Sequence, residues 1–463
     1  DGVNVDPAIW AGPYQAACGN RGPDCVTSPT QGYAEQEAWG ISAKLSWSLA
    51  AGDLVSITGF RESESDWNMD STGSLALPLI DDILDNTEQF SQEVRWISQI
   101  NDQTNYVVGL WYLKEETDRS ECFDFSADSD CSSGLDGSDF YRQENETTGY
   151  AGFGQLDWRF SDSLKLTVGA RYSYEKKAID NTSIAGNFVI INESFSNSVE
   201  ESWSAFTPKA ALAYEFREGG QVYLSVASGF KSGGFPAAPT TIDDTAPLDP
   251  EEALSYELGI KTEIGGALRL NAALFKTEYQ DLQMQSFGPR DAGAAFGTFQ
   301  TFNAGDAEVL GFEVEFTWAP VRNLLLSGFY GYMDSEFTRL HVPNAAFPNQ
   351  SGEDMIRTPK NKYSLNAEYT IPLRNGGEIG LMLDYSYTDD QREELEPWAV
   401  RPAFDTVNAK VTWNTSNEGL SFSLWGKNLT DEEYITHMYT IASSVVAVYG
   451  DPSTYGASVD WRF

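Results

Sequence analysis

An alternation of apolar and polar side chains runs through the chain and reaches its last residues. Between Tyr455 and Phe463 every second residue is apolar, and the residues between them are glycine, polar or charged. Successive side chains of a strand point to opposite faces, so this segment predicts a strand with one apolar face and one wet face. Other segments repeat the pattern over roughly the length that a tilted strand needs to cross a bilayer: Leu164 to Tyr174, Leu254 to Ile264, Leu310 to Trp318, Ile379 to Tyr387 and Val407 to Trp413. The recurrence predicts an all-β chain, a transmembrane antiparallel up-and-down β-barrel.

Connection lengths orient the predicted strands. Bacterial barrels have short periplasmic turns and long outer loops, and their last strand ends in the periplasm. Short turns such as Gly265-Gly266 and Arg374 to Gly377 are rich in turn-forming residues, as tight reversals require. The long intervals all fall on the outer side: 1 to 35, 64 to 86, 115 to 145, 176 to 202, 231 to 251, 283 to 307, 335 to 360, 391 to 403 and 429 to 452.

Aromatic residues support this orientation. Inward-running strands end in Trp158, Trp318, Trp413 and Trp461, and outward-running strands end in the pairs Tyr172/Tyr174, Tyr330/Tyr332 and Tyr385/Tyr387. Such a separation is typical of the two aromatic girdles of a membrane barrel. The alternative is a soluble sandwich with these aromatics in its core, but that fold does not predict Trp at one end and Tyr at the other.

Composition argues against membrane-spanning helices and against nucleic-acid binding. Mean hydropathy is -0.37, and the sequence has no apolar run of the roughly 18 residues that a spanning helix needs. The chain has 30 basic and 69 acidic residues, a net charge of -39 that repels phosphate backbones. We interpret most of this charge as solvated loops. Binding of divalent cations near the lipopolysaccharide surface is the alternative.

Four cysteines form two close pairs, Cys18 with Cys25 and Cys122 with Cys131, and both pairs lie in long outer intervals. The spacing predicts two local disulfides in an oxidising compartment. A zinc site is the alternative, but paired CxxC spacing is absent and the two histidines, His341 and His437, lie in other loops.

Several motifs resemble a known family. They are Ser228-Gly-Phe-Lys-Ser-Gly-Gly-Phe235, Pro250 to Lys261, Leu270 to Gln283, Asn303-Ala-Gly-Asp-Ala-Glu-Val-Leu-Gly-Phe-Glu-Val-Glu315 and Lys427-Asn-Leu-Thr-Asp431. In this order they resemble the barrel of TonB-dependent receptors, closely over residues 150 to 463 and by pattern alone before that. The resemblance implies a twenty-two-stranded barrel, a plug domain in its lumen, outer loops that capture a scarce ligand, and a TonB complex that pulls on the plug.

The chain departs from that family pattern in its strand count. We count about seventeen strands, the first near Gln36 to Leu49 and already running inward. An odd antiparallel count would need a parallel seam to close, whereas bacterial single-chain barrels have even counts. We therefore expect residues 1 to 463 to be the carboxy-terminal barrel portion of a receptor whose plug and first strands lie upstream.

Candidate ligand residues are the aromatic and cationic side chains of the outer loops, because stacking surfaces with a few fixed charges suit a metal chelate or a glycan. We select Phe230, Lys231, Phe235, Phe287, Arg290, Phe302, Arg357, Trp398 and Arg401. The alternative for each is a role in shaping or packing its loop.

The function expected is active outer-membrane import of a scarce nutrient, with a ferric siderophore as the leading ligand. Alternatives are a passive porin, a receptor for an oligosaccharide or cobalamin, and an enzyme that uses His341 or His437. The paired lumen acids Glu313 and Glu315 are typical of any polar barrel wall, so we predict no catalytic site and no cofactor. Expected partners are outer-membrane lipid and lipopolysaccharide, the TonB complex through a plug, and a small ligand; we expect a monomer.

Overall fold

The computed structural model describes residues 32–71, 79–124, 138–186, 191, 193–217, 219–237, 239–288, 298–342, 349–374, 376–416, 419–441 and 444–461, and every structural statement below refers to them. One 17-stranded antiparallel sheet dominates the fold, which confirms the predicted class and strand count. Its strands are β1 (Tyr33–Leu49), β2 (Gly52–Asp70), β3 (Ile80–Asn101), β4 (Thr104–Asp124), β5 (Asp139–Arg159), β6 (Leu164–Ile184), β7 (Phe195–Arg217), β8 (Gly220–Lys231), β9 (Glu251–Ile264), β10 (Leu268–Gln280), β13 (Gly305–Val321), β14 (Leu324–Leu340), β15 (Asn361–Pro372), β16 (Glu378–Thr388), β19 (Phe404–Asn414), β20 (Leu420–Lys427) and β23 (Thr454–Trp461).

Three two-stranded hairpins lie between these strands, and all three are in outer loops. They are β11 (Gln283–Gly288) with β12 (Thr298–Asn303), β17 (Gln391–Arg392) with β18 (Val400–Arg401), and β21 (Ile435–Ile441) with β22 (Ser444–Tyr449). A short 3-10 helix, Ile242–Thr245, lies in the loop after β8.

Each strand of this sheet, apart from the first and the last, pairs with the sheet strands that precede and follow it in the chain. Within the described ranges, β1 pairs with β2 alone and β23 with β20 alone, so the sheet has two unpaired edges.

The apolar face of the sheet is exposed, as it must be when lipid replaces water outside a barrel. Leu258 and Val459 are 49% and 62% exposed, and both lie on the face predicted to point outward. The opposite face lines the lumen and carries mainly glycine, polar and charged residues, together with a few aromatic rings such as Trp111 and Phe153. In the part of the chain that the structure describes, no helix combines the length and apolarity needed to cross a membrane.

Strands β2 to β7 are longer than a bilayer requires, with 19 to 23 residues each. Much of the intervals 64 to 86, 115 to 145 and 176 to 202, which we expected to be loops, is therefore strand. These extensions are polar on both faces because water lies on both sides above the membrane, so they lack the apolar alternation that marks a strand. Cross-strand ion pairs hold them together, for example Lys176 with Glu200 at 2.9 Å.

Candidate functional site

The outer vestibule is the space bounded by the outer strand ends and by the described loop residues 232–250, 281–304, 341–360, 389–403 and 429–453. A ligand arriving from outside would meet these loops first. The buried side chains of the molecule are concentrated there, in two apolar clusters built from loops and strand extensions.

The glycine-rich loop after β8 is packed against the barrel wall. Phe235 meets the ring of Trp203 edge to face at a centroid distance of 6.0 Å, and Lys177 Nζ donates to the carbonyl oxygen of Gly233 at 2.7 Å. A Cβ on Gly233 would lie 2.2 Å from Trp203 Nε1, so only glycine allows this approach. Phe235 therefore contributes to loop packing, whereas Phe230 is half-buried and Lys231 is exposed at the end of β8.

Two amides that sequence reasoning missed connect this loop to the β10–β13 loop. Gln283 Nε2 donates to the carbonyl oxygens of Ser232 and Asp249, at 3.0 and 2.9 Å. Asn303 Nδ2 donates to the carbonyl oxygens of Asp249 and Asp281, at 2.9 and 2.8 Å. Gln283 ends one of the motifs that carry the family resemblance and Asn303 begins another, and the structure gives both positions a local role, the fixing of loop bases.

Phe302 belongs to an apolar cluster at the base of the β11–β12 hairpin. It packs with the buried residues Leu282, Ala304, Ala307, Phe337, Leu340, Val342 and Leu395. The backbone of Phe287 lies in β11 opposite Phe299. Arg290 lies outside the described residues. The hairpin is thus fixed at its base by the packing of Phe302.

Arg357 and Arg401 converge on one buried carboxylate. Glu393 accepts ion pairs from Arg357 Nε at 3.3 Å and from Arg401 Nε at 2.8 Å, and its side chain is 4% exposed. Arg401 also lies over the Phe404 ring at 5.2 Å. The two arginines therefore stabilise the 391–403 loop by neutralising Glu393, which leaves less of their charge for a ligand.

Other residues of this loop complete its structure. Arg392, which the sequence did not single out, donates to Gln350 Oε1 at 2.6 Å and to the carbonyl oxygen of Leu395 at 2.7 Å. Burial raises the pKa of Glu394 to about 7, Glu396 and Glu393 add to the shift, and Arg357 opposes it. Trp398 is 44% exposed, so this candidate presents an aromatic surface to the vestibule.

The β21–β22 hairpin reaches across the vestibule to the far end of the sheet. Tyr439 Oη donates to the carbonyl oxygen of Ser71 at 2.7 Å, and Thr440 Oγ1 donates to Glu396 at 3.1 Å. Tyr439 and Val446 pack against the cluster of Leu79, Phe123, Tyr141 and Ile191 on the extensions and loops of β3 to β7. The hairpin thus bridges residues that are 368 positions apart.

A cluster of buried polar side chains lies beside that contact. Burial raises the pKa of Asp81 to about 8, the charges of Glu121 and Asp82 add to the shift, and Arg119 opposes it. Burial also raises the pKa of Glu121, although Arg119 Nη2 pairs with its carboxylate at 2.7 Å. One oxygen of Asp81 and the hydroxyl of Tyr141 have no hydrogen-bond partner in the described part of the chain.

Of the four cysteines, Cys122 lies in the part of the chain that the structure describes. Cys122 is buried and disulfide-bonded. Cys18, Cys25 and Cys131 lie outside the described residues, so both predicted pairings stay predictions. The described residues contain no group of three or more His, Cys, Asp or Glu side chains that could hold a metal ion.

Comparisons with known proteins agree with this geometry. The family model "TonB dependent receptor-like, beta-barrel" matches residues 6–429. The pesticin receptor of Yersinia pestis is 26% identical over 328 residues, which cover 67% of this chain and 44% of that protein. A probable TonB-dependent siderophore receptor, PiuA of Acinetobacter baumannii, is 26% identical over 265 residues, 55% of this chain and 34% of that protein.

Solved structures show the same fold. The ferric yersiniabactin uptake receptor FyuA from Yersinia pestis superimposes with a TM-score of 0.77 at 20% identity, covering 92% of this chain and 61% of its own. The siderophore receptor PiuA from Acinetobacter baumannii gives 0.73 at 18% identity, covering 93% and 65%. This chain thus spans less than half the length of the two curated relatives. Because the family model covers most of the chain, this protein belongs to the TonB-dependent receptors, outer-membrane β-barrel proteins of Gram-negative bacteria, through their barrel domain.

Proposed function

We propose that this protein is the barrel portion of an active receptor that imports a ferric siderophore across the outer membrane with energy from the TonB complex. The observation that carries the proposal is the vestibule: cross-linked loops and a bridging hairpin stand above a polar lumen. Receptors named for siderophores among the similar proteins support the ligand class. The family whose model matches is one of transport receptors, which supports a transporter over an enzyme.

The proposal includes a plug domain encoded upstream of Asp1, through which the TonB complex would act. Support comes from the share of each relative that this chain covers. Lipid and lipopolysaccharide surround the barrel in this proposal, and the receptor acts as a monomer.

Uptake of radioactive iron tests the function. The complete gene is expressed in a siderophore-deficient, iron-starved host, and a panel of ferric siderophores is supplied with and without a protonophore. We expect accumulation of iron from one member of the panel, and loss of that accumulation when the proton gradient collapses. Accumulation that is insensitive to the protonophore would indicate a passive porin, and no accumulation from any ferric siderophore would shift the ligand to another nutrient.

A further inference from the structure

One arginine of the lumen wall is held by aromatic rings. Arg171 lies on β6 opposite Phe153 of β5 and Thr207 of β7. Its neighbours in the chain, Ala170 and Tyr172, lie on the lipid face, so Arg171 points to the lumen. Tyr172 belongs to the outer girdle, which places Arg171 at the level where the vestibule opens into the barrel.

The guanidinium group of Arg171 has a defined position. Its central carbon lies 5.0 Å from the ring centroid of Trp111 and 5.9 Å from that of Phe153, and Nε donates to Ser173 Oγ at 2.9 Å. Both contacts are within the range of cation–π attraction. The arginine is therefore fixed before any ligand arrives.

Two glycines allow the rings of Phe153 and Trp111 to pack closely against the barrel wall. A Cβ on Gly109 would lie 2.3 Å from Phe153 Cζ, and one on Gly149 would lie 3.1 Å from Trp111 Cζ3. The rings lie flat over neighbouring strands because these positions have no side chain. Phe153 and Trp111 consequently form a rigid support under Arg171.

Arg171 differs from the arginines of the strand extensions in its charge balance. Arg119 pairs with Asp85 and Glu121, and Arg142 pairs with Asp118 and Glu144. Arg339 likewise pairs with Asp281 and Asp306. Across the described ranges no carboxylate lies within 4.0 Å of Arg171, and its two terminal nitrogens have no protein acceptor. Most arginines of the described residues have an acidic partner, as a net charge of -39 favours. Arg171 combines the lack of such a partner with two aromatic contacts.

We propose that Arg171, supported by Trp111 and Phe153, is a lumenal binding site for a carboxylate or another planar oxyanion of the imported ligand. The two free terminal nitrogens form the fork that binds such a group through two parallel hydrogen bonds. Aromatic faces beside the guanidinium offer stacking area to a planar acid. The inference rests on the proposed function for the source of the anion, whereas the site itself depends on this geometry alone.

Salicylate, a planar fluorescent carboxylate, is the probe for the first test. The purified chain in detergent is titrated with salicylate at low salt as wild type, as Arg171→Gln and as Arg61→Gln. Arg61 is the matched control because it is another arginine of the lumen face with no ion pair in the described residues and no aromatic support. We expect saturable binding that weakens at least about tenfold in Arg171→Gln and changes less than about twofold in Arg61→Gln. Equal binding by wild type and Arg171→Gln, or no saturable binding by wild type, would overturn the proposal.

A second measurement uses the wild-type chain and so does not depend on the folding of a variant. Phenylglyoxal modifies arginines, and peptide mass spectrometry quantifies the modification of Arg171 and Arg61 in one sample. We expect saturating salicylate to slow the modification of Arg171 severalfold and to leave that of Arg61 unchanged. Equal protection of both arginines would show general screening and would contradict a defined site.

These tests separate the site from the proposed function. Salicylate binding that requires Arg171, together with no uptake from ferric siderophores, would keep the site and reject the function. Siderophore uptake that is independent of Arg171, together with no salicylate binding, would keep the function and reject the site.

Discussion

Single residues of the vestibule act mainly by fixing the backbone. Asn428 is an example: it is buried, its φ is 46°, and its side chain binds three backbone groups of residues 432 and 451. Asn tolerates the left-handed region better than most residues and can also satisfy buried backbone polar groups. The Lys427-Asn-Leu-Thr-Asp431 motif is therefore explained by local structure.

We predict that Asn428→Ala destabilises the base of the last outer loop by about 2 kcal/mol, because it leaves buried backbone groups unsatisfied and places Ala at a positive φ. Hydrogen exchange of residues 429 to 453 measures the effect. Asn414→Ala is the control and should leave that loop unchanged, because this side chain lies at the periplasmic end of β19 and donates to Glu378. Unaltered protection of the loop in Asn428→Ala would contradict the prediction.

Position 305 requires glycine because the backbone of Arg339 approaches it closely. A Cβ there would lie 1.8 Å from the carbonyl oxygen of Arg339, and the Gly305 carbonyl oxygen accepts from the Leu282 amide at 2.8 Å. We predict that Gly305→Ala costs more than about 2 kcal/mol and lowers the yield of folded barrel, measured by heat-modifiable mobility on gels. Gly229→Ala, whose Cβ would have no neighbour within 4 Å, should fold as wild type does. Equal yields from the two variants would refute this account.

At the scale of elements, we expect the docking of the β21–β22 hairpin to depend on the protonation state of Asp81, which lies beside its contact surface. Burial raises the pKa of Asp81 to about 8 in the folded protein, against an ordinary value of 3.8. Burial also raises the pKa of Tyr439 to about 12, and the charges of Asp70 and Asp81 add to that shift. An acid whose pKa is raised by folding stabilises the docked state fully below its ordinary pKa, and that stabilisation is lost as pH rises through about 8.

We therefore predict that the docked hairpin is less protected at pH 9 than at pH 5, after correction for the intrinsic rate of amide exchange. Asp81→Asn should remove most of this difference. Glu88→Gln, which changes an exposed acid on the opposite face of the same strand, should retain it. Protection that is independent of pH in the wild type would show that Asp81 does not control the contact.

At the scale of the whole molecule, the unpaired edges of the sheet make the edge strands less stable than the strands in its middle. Every described residue of β1 is exposed, and one side of this strand has no partner in the described ranges, whereas β5 and β6 pair along 20 consecutive positions. Unpaired edge amides exchange readily with solvent.

We predict that the amides of β1 that face away from β2 exchange at least about tenfold faster than those of β6, in the 463-residue chain purified in detergent. Mass spectrometry of deuterium uptake measures this difference. Equal protection of β1 and β6 would show that another strand covers the edge, and cross-linking between copies would then test whether a second chain supplies it.

In the sequence, connection lengths predicted the direction of the strands. The alternation of side chains determined the barrel class, the seventeen strands and the lipid-facing set, because a bilayer imposes a period of two on every strand that crosses it. That constraint ends at the membrane surface. Above it both faces are wet, so the polar extensions of β2 to β7 carry no periodic signal and were expected to be loops.

Only the tertiary structure decided which outer-loop residues remain free for a ligand. Arg357 and Arg401 looked like ligand cations in the sequence, but both bind Glu393; Phe302 packs a hairpin base and Phe235 a loop. The sequence does not single out Arg171 as a ligand residue, because nothing local distinguishes it from other lumen residues. Its isolation from carboxylates and its contact with Trp111 and Phe153 depend on the pairing of three strands, which brings residues 60 positions apart into contact.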